Sequence, residues 1–143
     1  MLQVYTARLG NYYDAHSLII TPAEGRGRRA RAFDAPAEAE AVMRKGIADA
    51  RDLRGHARNI EDVWGATCLR RTVWWRYVQA YERAMRASYR AHRATWRKLL
   101  AQPEVTFLCD CADADFCHRT ILAAAILPTF GAVYRGERPI PQS

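Results

Sequence analysis

Lysine is almost missing from this chain. Of its 22 basic residues only Lys45 and Lys98 are lysines, and the rest are arginine. Against 15 acidic residues this leaves a formal net charge of +7. The rigid guanidinium fork suits phosphate and stacks on flat rings, so a polyanion, nucleic acid first, is the partner the charge favours. A genome rich in G and C would produce the same arginine bias with no function attached. Long apolar runs are missing too: nothing reaches the roughly 18 residues of a membrane-spanning helix. The opening stretch "MLQVYTARLG" lacks the basic-then-apolar plan of a signal peptide, and there is no internal repeat. The expectation is an intracellular protein with no membrane segment, whose four cysteines stay reduced. Reduced cysteines point to ligand or catalytic roles before disulfides. At 143 residues, half of them apolar, the chain is expected to form one domain, 1–143, with a real core.

What is present reads as strands interleaved with helices. "LQVYTA" at 2–7 and "SLIIT" at 17–21 have the branched and aromatic content of short strands. "GRGRRARAF" at 25–33 has no periodicity and reads as a mobile loop. Pro36 opens a helix of about 15–18 residues, with Glu38 and Glu40 early and Arg44 and Lys45 later, as the helix dipole favours. Residues 55–70 are broken by Gly55, Asn59 and Gly65. A long helical pattern then covers about 72–101, either unbroken or bent near Ser88. Its apolar stripe runs from Trp74 through Tyr77, Tyr81 and Met85 to Trp96 and Leu99. Beside it runs a basic ridge of Arg83, Arg86, Arg90, Arg93 and Arg97, a candidate nucleic-acid contact or else a solvated face covering the aromatics. At the end, "EVTFLC", "HRTILAAAIL" and "GAVYRGE" read as strand, helix and parallel strand, a βαβ unit over 104–136. The predicted fold is α/β, with a small and mainly parallel sheet in a three-layer, Rossmann-like arrangement.

Chemistry concentrates in "LCDCADADFCHR", 108–119. Three of the four cysteines and a histidine lie where a parallel strand ends and a helix begins, the place where open α/β sheets bind ligands. Cys117 at a helix start is expected to have a lowered thiol pKa. It is then a candidate nucleophile, with His118 as general acid or base and Arg119 as an anion clamp. Asp113 or Asp115 would cap the helix. Cys109, Cys111, Cys117 and His118 also form a set of four zinc-type donors. Two features weigh against a simple zinc site: C-x-C is tighter than the usual C-x2–4-C, and neighbours on a helix point about 100° apart. A donor from His16, His56, Cys68 or His92 is the other way to four ligands, so zinc stays an option and no cofactor is required. Cys68 reads as core. Tyr5, Thr6, Arg8 and Cys111 are candidate substrate contacts if the first strand lies beside the "EVTFLC" strand, and Tyr12, Tyr13 and Trp74 are candidate base-stacking rings.

The strand running into "LCDC", followed by "FCHRTILAAAIL" and "GAVYRGE", resembles the family of domain of unknown function 488. That family's hallmark is a strand leading into C-x-C and then Cys-His-Arg opening a helix. "VYTAR" fits it, and "FDAP" at 33–36 is similar to an element of shorter, phage- and actinobacterium-associated members. The resemblance implies an α/β fold, an intracellular setting, a phage-related origin, and a site at Cys109, Cys111, Cys117, His118 and Arg119. Two functions of different class follow. One is an enzyme acting on a nucleotide, nucleobase or nucleic acid, with glycosidic-bond or base-modifying chemistry. The other is a non-catalytic zinc knuckle whose arginine ridge grips phosphates. The aromatic density of 74–81 gives a weaker third option, a regulator that binds a protein. The oligomeric state is left open.

Overall fold

Residues 1–139 are described by a computed structural model. They divide into two compact units: Met1–Ala35 with Ala84 onward, and Pro36–Arg83. The first unit holds the sheet. Its strands are β1 (Gln3–Arg8), β2 (Ser17–Ile19), β3 (Arg28–Arg29), β4 (Glu104–Cys109) and β5 (Val133–Arg138). They lie in the order β3-β2-β4-β1-β5, and every pairing is parallel. The fold is therefore α/β, as the alternation of strand and helix patterns predicts. β4 and β5 are both parallel to β1, which lies between them.

Alternation sorts the strand residues onto two faces. Val4, Thr6 and Arg8 pair with Val105, Phe107 and Cys109 and share one face. Tyr5 and Ala7, with Thr106 and Leu108, take the other. On that second face Ala7, Ile19 and Leu108 form a buried cluster covered by Leu9 and Tyr12. On the first, Phe33 contacts both Phe107 and Trp96, with ring centroids 5.9 and 5.0 Å apart. Trp96 also donates from Nε1 to the Ser88 hydroxyl at 3.1 Å.

The glycine–arginine segment is more ordered than its composition predicts. β3 and a 3-10 turn over Arg31–Phe33 lie inside it. Two anchors explain the difference: Phe33 is buried, and the Arg29 guanidinium pairs with Asp34 and donates to the Ile19 carbonyl at 3.1 Å. The packing of Phe33 on Trp96 and Phe107 is not visible from local sequence.

The second unit contains α1 (Ala37–Gly55) and most of α2 (Ile60–Ala91), which continues beyond Arg83 into the first. Gly46 of α1 lies so close to Val73 of α2 that a Cβ there would sit 2.6 Å from the valine methyls. The expected helix at 72–101 ends where predicted, at Leu100, but needs correcting at its start and at its break. α2 starts at Ile60 and absorbs Gly65, because Asn59 caps it by accepting from the Asp62 amide at 2.9 Å. The interruption falls at His92, whose φ of −128° and ψ of 44° separate α2 from α3 (Arg93–Leu100), and not at Ser88. Cys68 is exposed, correcting its assignment to the core; Ala66 is the buried residue of that turn. No helix of the described residues is long and apolar enough to cross a membrane.

Candidate functional site

The C-terminal ends of β1, β2 and β4 form the edge at which the cysteines gather. Cys109 is the last residue of β4 and pairs in register with Arg8. The chain then turns through Asp110–Asp113 and a 3-10 turn over Ala114–Phe116. Asp113 caps that short turn by accepting from the Asp115 amide. Neither aspartate caps the helix beyond it, contrary to expectation. The helical segment from His118 starts as one α turn, widens to π geometry over Ile121–Ile126, and tightens to 3-10 over Leu127–Phe130. Pro128 therefore sits in the final turn.

Cys117 is the residue before that helix, with extended backbone (φ −136°, ψ 142°). This removes the geometric objection to a shared ion. The 100° divergence of neighbours holds only inside a helix, and Cys117 is outside it. One ligand atom from each of Cys109, Cys117 and His118 falls within 4.8 Å of the others, and all three residues are buried. Both Sγ atoms lie 3.9 Å from His118 Nδ1. Cys109, Asp110 and Cys111 form a second such group, with the two sulfurs 3.5 Å apart. His16, His56, Cys68 and His92 belong to neither group.

His118 Nε2 lies 2.6 Å from the Ile20 carbonyl oxygen. A carbonyl oxygen only accepts, so Nε2 carries a proton and Nδ1 is the ring nitrogen turned towards the thiols. A backbone acceptor behind the ring is the arrangement typical of metal-ligating histidines. The thiol electrostatics run against the expectation of a lowered pKa. The Cys111 side chain and burial push the Cys109 thiol up to about 12. The Cys109 and Cys111 side chains, with burial, push Cys117 up as well, outweighing the Arg119 charge. Crowded buried thiols disfavour each other's negative charge, whatever the helix start contributes. Cys111 alone of the three is half-exposed.

Arg119 is only 1 % exposed and already engaged. Its Nε and Nη2 donate to the two Glu137 carboxylate oxygens at 3.1 and 2.7 Å, and Nη1 donates to the Cys111 carbonyl at 3.1 Å. Burial alone would lower its pKa, but Glu137 more than offsets this and the guanidinium stays charged. In this structure it ties the C-x-C turn to β5 and is not an open anion clamp. Thr6, on the same face, is buried and bonded to the Tyr134 hydroxyl at 2.7 Å.

The other expected contacts separate. Arg8 is exposed at the strand end beside Cys109. Tyr5 points to the opposite face, where the Arg138 guanidinium lies 3.4 Å from its ring centroid. Tyr12 is also used, bonding Asp14 at 2.6 Å and accepting from Arg138. Tyr13 is exposed under Arg26, and Trp74 contacts Tyr77. All five ridge arginines are exposed, with Arg83, Arg86 and Arg90 on α2 and Arg93 and Arg97 on α3. Among the described residues none of them is in an ion pair, and Arg93 lies over the Tyr89 ring at 5.7 Å. Sequence reasoning missed Glu137 and the Ile20 carbonyl, since both partnerships depend on strand order.

No curated protein and no solved structure matches the chain. One family model does, over residues 49–129, more than half of the chain and including everything from Cys109 to Arg119. With its strand-end cysteines and Cys-His-Arg helix start in place, the chain belongs to the DUF488-N3a family, described as the active DUF488-N3 subclade.

Proposed function

We propose that this protein is an enzyme acting on a nucleotide, nucleobase or nucleic acid at the C-terminal edge of its sheet, with zinc held by Cys109, Cys117 and His118. The observation that carries this reading is the convergence of the two thiols on Nδ1 of a histidine whose Nε2 is bonded from behind. The description of the subclade as active and the strand-end position support catalysis there. Buried Cys117 and His118 are better suited to ligation than to attack, because a nucleophile must reach substrate and ionise. Half-exposed Cys111 and exposed Arg8 face the substrate, while Arg119 acts as a positioning residue. Zinc would supply Lewis-acid chemistry for glycosidic-bond or base-modifying hydrolysis.

The test is metal analysis of protein purified without chelator, combined with thiol titration. About one zinc per chain is expected, lost in Cys117→Ser, with nucleotide turnover lost alongside it. Metal-free protein in which Cys109 and Cys117 alkylate rapidly at neutral pH would overturn the zinc assignment. If Cys111→Ser and Cys117→Ser both retain full nucleotide turnover, catalysis at this site is wrong.

The exposed ridge arginines, without acidic partners among the described residues, favour a second reading: a non-catalytic zinc module that binds nucleic acid. It predicts binding without turnover. Affinity for single strands would fall with log salt at a slope of roughly −0.7 per phosphate contacted.

A further inference from the structure

α2 carries apolar residues on two opposite sides within the second unit. One side holds Ala66, Val73 and Tyr77, of which Ala66 and Tyr77 are buried and Val73 meets Gly46. The other holds Ile60, Trp64 and Trp75, which are 83, 63 and 61 % exposed. At about 100° per residue, Ile60, Trp64, Cys68, Arg71 and Trp75 fall within an arc of roughly 80°. The arc is centred almost opposite the buried side and runs along roughly 22 Å of helix. Cys68, with an exposed free thiol, stands at its midpoint.

The stripe is complementary to itself when reversed. About a two-fold axis near Cys68, an antiparallel copy brings Ile60 against Trp75 at both ends. The same register brings Trp64 against exposed Arg71, an arrangement suited to a cation–π contact. Charge favours the same orientation. Glu61, in the first turn of α2, borders the stripe beside Ile60, and Arg71 lies within the stripe towards its other end. Antiparallel packing sets the acidic end of one helix beside the basic end of the other, whereas parallel packing sets like on like. Isologous contact of this kind closes as a dimer and does not propagate. A partner of a different kind has no comparable requirement that the two ends of the stripe match.

We infer that the Ile60–Trp64–Cys68–Trp75 face of α2 is the interface of a two-fold homodimer, with the helices antiparallel and the two Cys68 residues close to the axis. The inference is independent of the proposed zinc site and of any catalytic activity. Four tryptophans and two isoleucines supply several hundred Å² of contact, at the small end of specific interfaces, so a dimer dissociating in the micromolar range is expected.

Sedimentation velocity of the full chain across about 1–200 µM, a range chosen for an interface of this size, reads this directly. The expected result is a concentration-dependent shift from 16.3 kDa to twice that mass. Trp64→Glu and Trp75→Glu should each remove the dimer while leaving helical circular dichroism unchanged, because both side chains point into solvent in the monomer. Arg71→Glu, which leaves every apolar contact in place, should weaken dimerisation at least several-fold. A short bismaleimide should link two copies in the wild type and not in Cys68→Ser. A monomer throughout the range, a dimer that survives Trp75→Glu, or cross-linking that persists in Cys68→Ser would each overturn the interface.

Discussion

His118 Nε2 and the Ile20 carbonyl oxygen meet at 2.6 Å across 98 positions of sequence. This bond joins the end of β2 to the start of the final helix and decides which ring nitrogen faces the cysteines. Nitrogen-15 NMR of the imidazole at neutral pH should therefore show a protonated Nε2 and an unprotonated Nδ1. On zinc addition the Nδ1 signal should move and the tautomer should not. An Nδ1-protonated ring in the metal-free protein would contradict the geometry.

Arg119 fills all three guanidinium positions with bonds that lysine cannot reproduce together. Arg119→Lys should lower stability by about 1–3 kcal/mol, read from the urea midpoint. The penalty is limited because the Glu137 side chain is 35 % exposed and partly rehydrates. The C-x-C turn loses an anchor in this variant, so Cys111 should alkylate faster.

Acid should weaken the first unit through two carboxylates. Burial alone would raise Asp14, but hydrogen bonds from Tyr12, the His16 amide and Ser17, together with Arg138, hold it below its ordinary value of 3.8. Burial likewise opposes Glu137, whose bonds to Arg119 and Thr6 keep it below 4.5. A carboxylate depressed in the folded state stabilises above its unfolded pKa, and that contribution disappears as pH falls through the folded value. Denaturant midpoints should thus drop from about pH 5 downwards. Asp14→Asn should flatten that fall while lowering stability at neutral pH.

Gly46 tests the helix pair. Alanine there gains about 1 kcal/mol of helix propensity, but its Cβ meets the stiff Val73 methyls at 2.6 Å. Overpacking of this kind costs about 1–3 kcal/mol, so Gly46→Ala should be net destabilising by about 1 kcal/mol. The double variant with Val73→Ala should be more stable than the sum of the two single changes predicts. Additive effects would mean the two helices do not approach here.

The site was legible in outline because C-x-C and Cys-His-Arg bracket a strand end and a helix start, and those are local patterns. The adjacent Cys117 and His118 were harder to read. Helical geometry applied to both keeps them apart, while the extended backbone at Cys117 brings them together. A shift of one residue in a helix boundary reverses that conclusion, and boundaries are where local sequence is least decisive.

Local pattern determined that strands alternate with helices, that 104–109 runs into a cysteine turn, and that the ridge arginines fall on exposed helical positions. These follow from periodicity and from Pro36, which act over a few residues. Only the tertiary structure decided that β1 lies between β4 and β5, and with that placement Glu137 reaches Arg119 and Arg8 stands beside Cys109. It also decided that the thiols are pushed up and not down. Thiol pKa depends on burial and on charges within a few ångströms, and residues distant in sequence supply much of both.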